Sequence, residues 1–452
     1  MMNILKAGML LVLFWMTFVV AQTQNSVFVT AYNNNLGVIR DIRTINLEKG
    51  KSKITLTDVA ELIDPTSVHI KLNANVLEQN FQYDLVSLSK ILLKYIDNDI
   101  RLIAPDGNLT EGKLLSAFGN QIVLQKNDGG LIMIPNVDKY TLSVNSLPEG
   151  LITKPSLIWS IESQQTGKQK LEITYQTNGI NWHAEYVAVL NKDDSMLDLN
   201  SWVSIENQSG ASYKDAKLKL VAGDVNLVQA QQPRFMGMRK EMALADAAPQ
   251  FEEKEFFEYH IYDLQRPTTL SNNETKQISL FESSNIKAAK KYLYSNSYSF
   301  NRGSSQKVKV IVEFENTEKN KLGMPFPKGK VRVYKSDGKT SEFVGEDLID
   351  HTPKDEKIKL TIGNAFDIIV EDVQKENNRI TDKVYEQVWE IKIKNRKNEN
   401  IVVEVERNLG SNWEIKDSNI SYDKKNSQRV TFLVPIKANN ETLLKYNVRY
   451  NY

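Results

Sequence analysis

Glu346, Asp347, Asp350, His351, Asp355 and Glu356 all fall within one stretch of the chain, Gly345-Glu-Asp-Leu-Ile-Asp-His-Thr-Pro-Lys-Asp-Glu356. Carboxylates beside an imidazole can hold a divalent cation or exchange protons with a substrate. The spacing matches no metal-ligand pattern. Pro353 pushes the residue before it into extended backbone, so the segment reads as a turn and not as one face of a helix. In that structural reading Asp350 and Thr352 bond to nearby backbone and shape the turn. His183 and Glu185, in Asn181-Trp-His-Ala-Glu-Tyr186, form a second pair. Strand side chains alternate, so the two share a face, with Trp182, Ala184 and Tyr186 on the other. A His–Glu pair can act as a base with its orienting acid. No Gly-x-Ser-x-Gly elbow accompanies it, and a strand with one buried aromatic face and one polar face explains it as well.

Met236, Met238 and Met242 make a third group. Closely spaced thioethers can bind Cu(I). They can equally dock on a partner, or lie in an ordinary loop. The chain has no phosphate loop, dinucleotide fingerprint, His-Glu-x-x-His or zinc spacing, and no cofactor is expected.

Strands must position these residues. Val308, Val310, Val312 and Phe314 alternate with Lys307, Lys309, Ile311 and Glu313, and Val68, Ile70 and Leu72 repeat the pattern. Period two with β-branched and aromatic residues predicts half-buried strands. The expected fold is mainly β: multidomain β-sandwiches with a small SH3-like barrel insert and an immunoglobulin-like C-terminal domain. Residues 22–86 are expected to form an N-terminal β domain. Residues 87–145 hold a short helix and five short strands with tight turns, which suits a small SH3-like or Sm-like barrel or further strands of the neighbouring sandwich. Residues 146–380 form a central sandwich interrupted at 229–255 by a mobile loop rich in Gln, Ala, Met and Glu. Residues 381–452 have the strand order of an immunoglobulin-like domain, with Trp389 as a core anchor.

Residues 1–21 are expected to be a secretory signal peptide, with Lys6 before an apolar run and small residues at its end. No later segment is apolar enough to predict a transmembrane helix. The chain has no cysteine, which excludes disulfides and thiolate metal sites. With 57 basic and 56 acidic residues it lacks the basic footprint of a nucleic-acid binder. The expected location is the periplasm or outer surface of a bacterium.

Several spaced blocks carry a family resemblance. They are Gly179-Ile-Asn-Trp182-His-Ala-Glu-Tyr186, Trp202-Val-Ser-Ile-Glu-Asn207-Gln-Ser-Gly210-Ala-Ser-Tyr213, Leu220-Val-Ala-Gly-Asp-Val-Asn226 and Tyr262-Asp-Leu-Gln-Arg-Pro-Thr-Thr269, followed by Lys330-Val-Arg-Val-Tyr334, Phe343-Val-Gly-Glu-Asp347 and Asp350-His-Thr-Pro-Lys-Asp-Glu356. With these the chain resembles the bacterial domain-of-unknown-function family numbered 4139, related to mucoidy-inhibitor-like envelope proteins. The resemblance implies an exported, β-rich envelope protein and no established activity. The function expected from the whole is a non-catalytic binding or scaffold protein for an envelope protein or glycan. The alternative is an envelope hydrolase or metal-dependent enzyme using residues 345–356, with Glu346, Asp347, Asp350 and His351, or His183 and Glu185, as its catalytic groups.

Overall fold

Apolar–polar alternation becomes strand along nearly the whole chain, and the fold is mainly β, arranged in several sheets. The computed structural model describes residues 22–223, 251–256, 259–296 and 307–451. The expected signal peptide and Met236, Met238 and Met242 lie outside these residues. Of the expected 229–255 loop, the described part is not loop: Phe251–Phe256 is a strand paired with Tyr259–Leu264. No helix among the described residues is long and apolar enough to cross a membrane.

One core gathers residues from both sides of the boundary expected at 145/146. Val29, Ile39 and Ile45 from the first strands pack with Trp159, Ile173, Trp182, Tyr186 and Leu218. The reason is pairing. Gln22–Tyr32 lies parallel to Tyr213–Ala222, and Leu36–Leu47 lies antiparallel to Gly167–Asn178. Residues 22–86 therefore share their core with the central segment. Trp182 joins two sheets of this core, donating from its indole to Val221 O at 3.2 Å.

Between these strands the chain makes a separate unit. The helix Leu88–Lys94 is capped by Ser87, whose Oγ accepts from Lys90 N. Asp99–Ile103, Leu109–Phe118, Gln121–Gln125, Leu131–Ile134 and Thr141–Ser143 then form an antiparallel five-stranded sheet with its own core around Leu102, Leu114 and Leu124.

The tail builds a further core from Ile391, Ile393, Val403, Val405, Phe432, Val434, Tyr446 and Val448. It also takes Tyr292, Tyr294, Val308, Ile368 and Val370, all before residue 381. The expected boundary at 380/381 falls at the tip of a hairpin, Lys357–Thr381 with Val384–Asn395. Trp389 is half-buried at the margin of this core, with the Arg407 guanidinium 4.5 Å above its ring.

Three asparagines at strand ends hold the loops of the sandwich. Asn207 donates to the carbonyls of Ala211, Leu270 and Ser271. Asn316 donates to Met324 O and Pro353 O, and Asn395 to Glu399 O and Lys437 O. All three are buried. A buried carbonyl must find a donor, and one carboxamide supplies donors to loops from distant parts of the chain.

Candidate functional site

Ile180–Leu190 runs between Met196–Asn207, which is antiparallel to it, and Gly329–Ser336, which is parallel. Trp182, Ala184 and Tyr186 face the core, as their alternation requires. His183 and Glu185 face outward. The register then sets Ser204 opposite His183, and both Trp202 and Lys330 opposite Glu185. Arg332 lies opposite Glu346 of the strand Ser341–Ile349, and Gln277 of Glu274–Asn296 lies opposite Ser204. The close approach of Gly329 to Ala184 makes this register possible, since a Cβ at 329 would meet Ala184 O at 2.1 Å.

The outward face is not simply a solvated polar surface. Glu185 is only 9% exposed. Its carboxylate accepts from Gln277 Nε2 at 3.0 Å, with His183 Nε2 at 3.4 Å and Arg332 Nη1 at 4.0 Å. Arg332 Nε lies 3.8 Å from Glu346, which also accepts from Lys330 Nζ at 3.0 Å. A buried carboxylate is costly unless cations and donors meet it, and here they form a chain from His183 through Glu185, Arg332 and Glu346 to Lys330. Aromatic rings border it. Trp202 is half-buried on this face rather than in the core, and Tyr334 meets Phe343 edge-to-face at 5.7 Å between centroids.

The acidic segment is split by its geometry. Glu346 joins the chain just described. Asp347 turns to neighbouring backbone and accepts from Thr361 N at 2.6 Å and Leu348 N at 2.9 Å. Asp350 is exposed, with Lys328 Nζ at 3.8 Å. Of the two side-chain-to-backbone bonds expected from Asp350 and Thr352, the one from Thr352 is present, Oγ1 donating to Asp350 O. His351 accepts from Lys328 N at Nδ1, 3.2 Å away, and meets the Asn33 amide at Nε2, 3.0 Å away. His351 thus fastens the 350 loop to the turn after Gln22–Tyr32. Among the described residues no group of three or more His, Asp and Glu is placed to hold a metal ion.

No protein-family model matches the chain, and no curated protein matches it. What the site can do rests on its geometry. The carboxylates are fixed by cations and amides, and Ser204 Oγ accepts from Gln277 rather than standing ready as a nucleophile. Such a face can offer ion pairs and ring contacts.

Arg332, Lys330, Gln277 and Trp202 were not among the candidate site residues, although Trp202, Lys330 and Arg332 fall in the blocks that carry the family resemblance. The one signal for the cations is the alternation Lys330-Val-Arg332-Val, which puts both on the face opposite the valines. Of their carboxylate partners, Glu346 lies on the next strand and Glu185 comes from a strand far away in sequence.

A cleft of about 670 Å³ lies elsewhere, lined by Asp193, Asp194, Lys290, Tyr292, Glu399 and Ile401 among others. None of the residues expected to do chemistry lines it. Asp194 bonds there to both Lys290 and Lys335.

Proposed function

We propose that the chain is an exported bacterial envelope protein, of the kind the resemblance to family 4139 implies. It binds a protein or glycan partner without catalysis. The observation that carries this reading is the outward sheet face, where Trp202, Tyr334 and Phe343 border the fixed chain of Glu185, Arg332, Glu346 and Lys330. Aromatic rings beside held charges supply large contact area at low entropic cost and set orientation by ion pairing. The same fixing of the carboxylates disfavours an acid–base role, because each is committed to a cation or amide donor.

A photoreactive amino acid in place of Phe343 tests this in cells. It is expected to give a cross-linked adduct in the envelope fraction, with sensitivity to protease or to glycan-cleaving enzymes telling the partner's class. Arg332→Met is expected to reduce the adduct at least several-fold. Equal yields from position 343 and from an exposed control position such as Leu109 would sink the reading.

A further inference from the structure

A strand at the edge of a sheet leaves a row of backbone N–H and C=O groups without strand partners, and natural chains blunt such edges with charge or brevity. The edges here follow that rule. Ser341–Ile349 carries Glu342, Glu346 and Asp347, and Phe251–Phe256, Gly50–Leu56, Asn75–Gln82 and Trp413–Ser418 also carry charges. His69–Lys71, Thr141–Ser143, Thr268–Leu270 and Tyr422–Lys424 are single short pairings of three residues. Among the described edge strands, Leu131–Ile134 is the exception. It ends the five-stranded sheet, with Gln121–Gln125 as its strand partner. Its residues are Leu131, Ile132, Met133 and Ile134, and no charged residue lies between Gly129 and Val137.

The preceding turn fixes which groups face the open edge. Lys126 O accepts from Gly129 N at 2.9 Å, and Lys126 N donates to Gly130 O at 2.8 Å. Hydrogen-bonded pairs alternate along an antiparallel ladder. Leu124 therefore exchanges bonds with Ile132, and Ile122 with Ile134, while Leu131 and Met133 direct their N–H and C=O groups outward. Their side chains also stand on the face away from the unit's core. Leu131 is 55% exposed and Met133 73%, and Phe118, on the same face through its pairing with Gln121, is 84% exposed.

We propose that this edge pairs with the same edge of a second copy of the chain, about a twofold axis through Ile132. Leu131 of each copy then opposes Met133 of the other, and each such pair exchanges two backbone hydrogen bonds. A twofold contact brings every group against its own copy, so it is favoured where there is no charge to repel itself. This strand has none, and its two outward-facing residues are placed symmetrically about Ile132. A partner selected by ion pairs would find nothing on the edge to select.

The chain has no cysteine, so Ile132→Cys introduces a single thiol on the axis. Under mild oxidation the intact chain carrying it is expected to run as a disulfide-linked dimer on a non-reducing gel. Leu109→Cys, exposed on the central strand of the sheet, is expected to stay unlinked. Sedimentation of the wild-type chain is expected to report twice the chain mass. Met133→Pro is expected to halve that mass with far-UV circular dichroism unchanged, because proline on an open edge removes no ladder bond within the chain. A wild-type monomer, a Met133→Pro dimer, or linkage through position 109 in place of 132 would each overturn the proposal.

Discussion

Arg407 closes on Asp372 inside the tail core, the two side chains 5% and 0% exposed. Arg407 Nε also donates to Tyr446 OH at 2.7 Å, and Tyr294 OH donates to the same Asp372 oxygen at 2.8 Å. Burial alone would pull the guanidinium pKa down, but Tyr446, Asp372 and Tyr294 reverse this and hold it above its ordinary value.

Breaking that pair strands a charge in a dry core. Asp372→Ala is expected to cost about 3–5 kcal/mol, whereas removing both charges together as Asp372→Leu with Arg407→Met is expected to cost far less. Urea unfolding of the three chains compares them. Equal losses in the single and double variants would contradict the ion-pair account.

Asp194 predicts an acid dependence. Burial would raise its pKa, but hydrogen bonds from Lys290 and Lys335 outweigh burial and hold the carboxyl below its ordinary range. For Lys290 burial works downward, and Asp194 and Tyr292 push the pKa above the ordinary lysine value. A carboxyl depressed in the folded state stabilises fully above its unfolded pKa, and that stability is lost as pH falls through the folded value. The lysine contribution is complete below its own unfolded pKa and is lost as pH rises through the folded value. Asp194→Asn is therefore expected to be less stable at neutral pH and to lose less on acidification. Thermal midpoints across the acid range check this, and parallel curves for the two chains would refute it.

Asn316 is the most informative of the three loop-holding asparagines, because it reaches both the 324 loop and the 353 loop and accepts Gly323 N at 3.0 Å. Each buried group left unpaired costs about 1–3 kcal/mol. Asn316→Ala is expected to lose at least that much, and Asn316→Asp to be no better, since a carboxylate cannot donate to carbonyls. Equilibrium denaturation measures both, and a neutral Asn316→Asp would show that the donors are dispensable.

Gly329→Ala probes the register beneath the candidate site. The added methyl meets a backbone carbonyl, not a side chain that can move. The expected cost is about 1–3 kcal/mol, accompanied by weaker cross-linking from position 343 as Lys330 and Arg332 shift. Wild-type stability and wild-type cross-linking in this variant would place the register elsewhere.

Strands were legible because alternation is local. The faces of Trp182 and Glu185 followed from parity alone, and the five strands between 99 and 143 from their turns. The site was less legible because Glu185, Arg332 and Glu346 meet only through a register that joins separate parts of the chain. Trp202 illustrates a second limit: a tryptophan in an alternating strand fits either face, and here it took the outer one. One further signal lies in the sequence. Val203-Ser-Ile-Glu-Asn207, Val312-Glu-Phe-Glu-Asn316 and Ile391-Lys-Ile-Lys-Asn395 repeat one pattern, and each ends in a loop-holding asparagine.

Three strands belong to two cores at once. Glu274–Asn296 carries Ile278 and Leu280 in the first core and Tyr292 and Tyr294 in the tail core. Lys307–Glu315 divides Phe314 from Val308 in the same way, and Lys357–Thr381 divides Leu360 from Ile368. The tail is for that reason no transferable cassette. A chain starting at residue 381 leaves behind part of its own interior, and evolution could not have shuffled that segment alone into another protein without carrying those three strands with it.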